Sequence, residues 1–164
     1  MTYTVGVLTI SDKGFQGQRE DLSGPAIRRL VEQGGGQVAR YLVLPDEHAE
    51  IARTLATWAD EGVLDVVLTT GGTGLSPRDV TPEATKEVIR QEVPGIAEAL
   101  RSESLKKTPM AMLSRGIAGV RGRTLIVNLP GSPKAVAECL EVLLPVLSHA
   151  VETLRESVEE HPRA

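Results

Sequence analysis

Val66–Thr85 reads VVLTTGGTGLSPRDVTPEAT. Its first five residues are apolar or β-branched, the pattern of a strand buried on both faces. Gly71–Asp79 then holds three glycines, a proline and two hydroxyl residues, Thr73 and Ser76. Thr81-Pro82-Glu83 supplies a cap residue, a first-turn proline and an acidic first turn, which together open a helix. The reading is strand, glycine loop, helix, with the strand placed over 63–70 and the helix running to about Glu92. A strand that feeds a helix through a tight loop is the unit of a parallel sheet.

The same alternation extends in both directions. Upstream, Thr4–Ile10 is a strand. Ser23-Gly24-Pro25 starts a helix with Ile27, Leu30 and Val31 on one face, and Gly34–Gly36 stop it. Residues 38–44 form a second strand, followed by a helix with Ile51, Leu55, Trp58 and Ala59 on one face. Downstream, Pro94 opens a helix, 105–123 is less regular, and Thr124–Leu129 is a strand. A long helix follows, with Val136, Leu140, Leu143, Leu147 and Val151 at three- and four-residue steps. Pro145 is expected to kink or restart it, and 159–164 reads as a frayed tail. The predicted fold is one α/β domain over residues 1–164: a three-layer sandwich with a mostly parallel central sheet and helices on both faces.

Composition narrows the function. The 164 residues are 41% hydrophobic and 24% charged, an ordinary globular balance. Aromatic residues are only 2% and the net charge is -4. Neither feature suits a nucleic-acid binder, which needs a basic surface or stacking platforms. The single cysteine, Cys139, has no intramolecular partner, and an intracellular, reducing setting is expected. No signal peptide or membrane span is read, so the expected location is cytoplasmic. The three histidines, His48, His149 and His161, share no metal-ligand spacing.

In parallel α/β folds, ligands bind beyond the carboxyl ends of the strands. Four loops then matter: Ser11–Gly14, Pro45–Glu47, Gly71–Asp79 and Pro130–Pro133. Gly71, Gly72, Thr73 and Gly74 either cradle a phosphate on backbone N–H groups, with Ser76 adding a hydroxyl, or simply permit a tight turn. The loop lacks the lysine of a P-loop. Asp79 and Asp46 make sense beside a phosphate if a divalent cation, Mg²⁺, bridges carboxylate and phosphate. Alternatively, Asp46 caps the next helix and Asp79 pairs with Arg78. Ser132, after Pro130 and Gly131, either meets an anion or caps the last helix. Ser11-Asp12 closes the first strand as a site residue or as a turn. Ser114-Arg115 can bring a hydroxyl and a fork donor to an anion. Cys139 lies on the apolar side of the long helix as packing.

These residues also resemble a known family. TTGGTGLSPRDVTPEAT at 69–85 is similar to the signature of the molybdenum-cofactor biosynthesis proteins that bind molybdopterin. SDKG at 11–14, DLSGP at 21–25, LPDE at 44–47, LSRGIAG at 113–119 and LIVNLPGSPKAV at 125–136 continue the match in order. The resemblance spans essentially the whole chain. It looks most like the stand-alone molybdopterin adenylyltransferases, the MogA type, also found as a domain of fusion proteins such as gephyrin. The MoaB type tends to read differently near PGSPK.

The resemblance implies adenylylation of molybdopterin by Mg-ATP, with release of pyrophosphate. It implies a trimer, and transfer of adenylyl-molybdopterin to a molybdenum-insertion protein of the MoeA type. It places the two essential aspartates on Asp46 and Asp79 and the nucleotide and pterin site on Gly71–Gly74, Ser114, Pro130 and Gly131; the expectation added to it is that the two aspartates position Mg²⁺ or its bound water. The alternative it leaves open is a MoaB-like binder or carrier with little turnover.

Overall fold

The computed structural model describes residues 2–160, with side chains through 156. Of the tail expected to fray over 159–164, residues 159 and 160 continue the last helix, and 161–164, with His161, lie outside the described residues. Strand β1 (Thr4–Ile10) is followed by a single-turn helix α1 (Asp12–Phe15) and by α2 (Ser23–Gln33). Next come β2 (Gln37–Leu44), α3 (His48–Asp60), β3 (Val66–Thr70) and α4 (Thr81–Val88). The chain continues through β4 (Gln91–Glu92), α5 (Pro94–Leu105), a 3₁₀ turn at Pro109–Leu113, β5 (Ala118–Arg121), β6 (Thr124–Leu129) and α6 (Pro133–Glu160).

The six strands form one sheet in the order β2-β1-β3-β6-β5-β4. The first four are mutually parallel; β5 and β4 add an antiparallel edge. Period-two alternation sorts the side chains into two cores. Val5, Val7, Val66, Leu68, Leu125 and Val127 face Ile27 and Val31 of α2, Leu100 of α5 and Val136, Leu140 and Leu143 of α6. Leu8, Ile10, Val67 and Ile126 face Ile51, Leu55 and Trp58 of α3 and Ala84 and Val88 of α4. The three layers are those the sequence predicts.

Four local expectations change. The third strand starts at Val66, not Val63. Asp65 is buried and turns its carboxylate onto Thr4 and Arg155 of α6 instead of extending the apolar run. The helix after the glycine loop stops at Val88, where Arg121 Nη1 donates to the Val88 carbonyl (2.8 Å). Arg90 N–H then donates to Val120 and the chain joins the sheet as β4. The less regular 105–123 segment contains β5, joined to β6 by a two-residue hairpin turn with Gly122 at φ 61°. Finally, α6 continues through Pro145. Pro145 lies on the solvent side, so water can reach the backbone carbonyl that its ring leaves without a donor. No helix among the described residues is long and apolar enough to cross a membrane.

Toward their carboxyl ends the central strands exchange apolar for polar residues. Thr9, Thr69, Thr70 and Asn128 are all buried there. Asn128 Nδ2 donates to the hydroxyls of Thr69 and Thr85 (3.0 Å each), and its Oδ1 accepts from Ile117 N–H (3.1 Å). This network locks β3, β6 and α4 together immediately beneath the four loops.

Candidate active site at the carboxyl edge of the sheet

The glycine loop leaves β3 with two consecutive residues in the left-handed region, Gly71 at φ 98° and Gly72 at φ 69°. A Cβ on Gly71 would overlap the Ile10 carbonyl oxygen. One on Gly72 would overlap the Thr81 hydroxyl and come within 3.1 Å of Asp46 Oδ1. Both positions therefore require glycine. Thr81 does not cap α4, as its position suggests; its hydroxyl donates to the Gly71 carbonyl (3.0 Å) and its N–H to that of Gly72 (3.2 Å). The loop's carbonyls are thus held from behind. Among the described residues, the N–H groups of Gly72, Thr73 and Gly74 have no intramolecular acceptor.

Arg115 holds the loop from the other flank. Its Nε donates to the Gly74 carbonyl (2.7 Å), Nη2 to that of Asp79 (2.8 Å), and Nη1 pairs with Glu83. The fork donor expected to meet an anion is spent on the loop. Ser114, beside it, accepts from Gly116 N–H (3.4 Å).

The carboxylates are arranged differently from the simple alternatives. Asp46 does not cap α3, whose N-cap is Glu47 without a side-chain bond. Asp46 Oδ2 accepts from Asp12 N–H (2.9 Å), and Asp12 Oδ1 accepts from Asp46 N–H (3.0 Å). Arg78 leaves Asp79 unpaired and forks onto Asp12, with Nε to Oδ2 at 3.0 Å and Nη2 to Oδ1 at 2.9 Å. The same Nη2 reaches Glu47 at 2.9 Å. Asp79 Oδ2 accepts from Ser76 N–H (3.1 Å). The Arg78 hydrogen bond holds Asp12 below the ordinary carboxylate range. Burial pushes Asp46 up, and the charges of Asp12 and Asp79 add to that rise.

Two cavities open on either side of the loop. One, of about 530 Å³, is lined by Ser11, Asp46, Gly71, Gly72, Asp79, Gly131 and Ser132, together with Thr9, Asp21 and Ser23. The other, of about 330 Å³, is lined by Thr73, Gly74, Ser114, Pro130 and Ser132, together with Arg101, Asn128 and Cys139. The loop divides them, and Ser132 borders both. Of the residues singled out from sequence, Asp12, Ser76 and Arg115 line neither cavity but bond to residues that do, and Arg78, also outside both, bonds Asp12. Ser132 also acts as the cap of α6, its hydroxyl accepting from Ala135 N–H (3.2 Å).

Sequence reasoning missed Asp21 and Asn128. Asp21 Oδ1 accepts from the N–H groups of Ser23 and Gly24 (3.1 Å each) and so opens α2. That frees the Ser23 hydroxyl to donate to the Gly131 carbonyl (2.7 Å). The signal for Asn128 was present: it is the only asparagine, set in an apolar strand.

Whether Mg²⁺ suits this site can be judged from the donors. No group of three or more His, Cys, Asp or Glu side chains among the described residues is placed to hold a metal. Mg²⁺ seldom uses such a cage; it takes one or two carboxylates plus substrate phosphates. Asp46 and Asp79 fit that role. They face the same cavity, and each keeps one oxygen, Oδ1, without a donor among the described residues.

A family model described as "Probable molybdopterin binding domain" matches residues 6–149. The chain belongs to that family. It is 43% identical over 155 residues to the molybdopterin adenylyltransferase of Helicobacter pylori strain J99, covering 93% of this chain and 88% of that protein. It is 47% identical over 157 residues to the molybdenum cofactor synthesis protein cinnamon of Drosophila melanogaster, covering 94% of this chain but only 26% of that protein. The crystal structure of the molybdopterin biosynthesis enzyme MoaB from Thermus thermophilus superposes with a TM-score of 0.88 at 57% identity, over 93% of this chain and 96% of that one. The family's similarities thus reach both adenylyltransferase and MoaB names, so overall identity does not draw the line that the PGSPK stretch was expected to draw. They support a role in molybdenum cofactor biosynthesis.

Proposed function

We propose that this chain is a molybdopterin adenylyltransferase. The reading rests on one observation above others: the unpartnered N–H groups of Gly72, Thr73 and Gly74 lie on a loop that separates two cavities, one of them carrying Asp46 and Asp79. Such a loop can hold phosphates from two substrates with neutral donors that add no bulk.

In the reaction, a terminal phosphate oxygen of molybdopterin attacks the α-phosphorus of ATP. The bond to the β-phosphate breaks in line, and pyrophosphate leaves with the electron pair. Mg²⁺, held by Asp46 and Asp79 together with substrate phosphates, would supply charge neutralisation for two anionic reactants. Gly72–Gly74 orient the phosphates. Ser11 and Gly131–Ser132 border the nucleotide and pterin space, with Ser114 and Pro130 on the far side of the loop. Asp46 and Asp79 act as positioned charges and not as nucleophiles.

The proposed assembly is a homotrimer in the cytoplasm. Its product, adenylyl-molybdopterin, passes to a MoeA-type insertion protein. Light scattering of the purified chain checks the trimer.

The function is tested by pyrophosphate release from Mg-ATP, with and without molybdopterin, for wild type and Asp79→Asn. Release should require molybdopterin, and Asp79→Asn should lower kcat by about 10²–10³-fold while still binding the pterin. Tight pterin binding without release by wild type would make the chain a carrier. Normal turnover by Asp79→Asn would remove the carboxylate from the chemistry.

A further inference from the structure

We propose that Arg78 is a positioning residue that sets the placement of Asp46 relative to Asp79. The inference rests on the adenylyltransferase reading. Arg78 precedes Asp79 in the chain, so its backbone travels with that carboxylate. Its guanidinium crosses to the opposite wall, forking onto Asp12 and reaching Glu47, the neighbour of Asp46. Asp12 in turn is locked to Asp46 by the two reciprocal backbone-to-carboxylate bonds. One side chain therefore connects the two acidic loops through both neighbours of the Asp46 carboxylate.

The charges explain why such a link is needed. Asp12, Asp46, Glu47 and Asp79 converge from three loops, and like charges there favour separation. Arg78 is the cation seen to contact two of them. Arg115, on the other flank, spends its donors on Gly74, Asp79 and Glu83 and does not reach Asp46. Arg78 lines neither cavity, so its effect on the reaction runs through the aspartates. A planar fork is required: lysine is a point charge and cannot serve Asp12 through two nitrogens while also reaching Glu47.

With its side chain 53% exposed, Arg78 adds little to global stability, because water screens its ion pairs. This separates positioning from folding. The test compares wild type, Arg78→Ala, Arg78→Lys and Asp46→Asn in pyrophosphate release, thermal melting and amide hydrogen exchange. Arg78→Ala should lower kcat about 10- to 100-fold, the usual effect of losing a residue that orients a site ligand. The KM for ATP should change much less, the melting temperature should move by no more than a few degrees, and Arg78→Lys should recover only part of the rate. The Asp12 and Asp46 amides, each a donor to the other's carboxylate, should exchange faster in Arg78→Ala.

Full activity of Arg78→Ala beside an inactive Asp46→Asn would overturn the positioning role and leave the adenylyltransferase reading standing. So would unchanged exchange at Asp12 and Asp46, or a melting drop large enough to account for the lost rate. Normal turnover by Asp46→Asn would instead strike at the parent reading.

Discussion

Gly71→Ala should separate backbone strain from steric overlap at the loop. Gly71 sits at φ 98°, and an added Cβ would overlap the Ile10 carbonyl oxygen, with the carbonyl carbon 3.4 Å away. The left-handed backbone alone costs an L-residue about 1–2 kcal/mol. Overpacking against backbone that cannot rotate aside adds about 1–3 kcal/mol. Together they predict a fall in Tm on the order of 10 °C for a domain of this size.

Gly35→Ala is the control. Gly35 has a similar φ of 93°, but a Cβ there meets nothing within 4 Å. It should lose only the strain, about 1–2 kcal/mol, or on the order of 4 °C. Thermal melts of both variants decide the matter, with pyrophosphate release measured alongside. Gly71→Ala should also lose turnover, because relieving the overlap moves the N–H groups of Gly72–Gly74; Gly35→Ala should not. Equal melting of the two variants would refute the overlap argument, and full activity of Gly71→Ala would show that the loop tolerates displacement.

Two further predictions concern stability. Arg155→Ala leaves Asp65 buried without its guanidinium and should cost about 2 kcal/mol, less than for a fully buried pair because the Arg155 side chain is 35% exposed. Burial alone would raise the Asp65 carboxyl, but hydrogen bonds from Arg155 and Thr4 outweigh it and the net shift is downward. The pair's contribution is therefore complete above the ordinary aspartate value near ~4 and fades as pH falls through the lower folded value, so urea unfolding of wild type and variant should converge in acid. Asn128→Ala leaves Ile117 N–H without its acceptor and the Thr69 hydroxyl without its donor beneath the loops, while Thr85 keeps its bond to the Thr81 carbonyl, and should cost about 2 kcal/mol; denaturant midpoints measure it, and a loss under about 1 kcal/mol would mean water replaces the amide.

What was readable in the sequence was local and periodic. Apolar runs gave the central strands, and three- and four-residue spacing gave α2, α3 and α6, because buried faces impose those periods whatever surrounds them. The rule that ligands gather beyond strand ends then brought Ser11, Asp46, Gly71, Asp79 and Gly131 to one edge, where they line one cavity. β4 and β5 were not readable: they are four residues or shorter at a sheet edge, with too few positions to show a period.

The chain alone determined which loops meet at the carboxyl edge of the sheet: glycines where the backbone turns left-handed, the carboxylates of Asp46 and Asp79 beside them, and strands to carry both. It could not determine which charge meets which. Arg78 bonds Asp12, 66 positions away, and not its neighbour Asp79; Arg115 spends its fork on the loop's carbonyls; Asp65 takes Arg155 from the last helix. Those pairings depend on how side chains converge in space, and periodicity carries no information about that. Only the tertiary structure, by packing β1, β3 and β6 side by side, decides them.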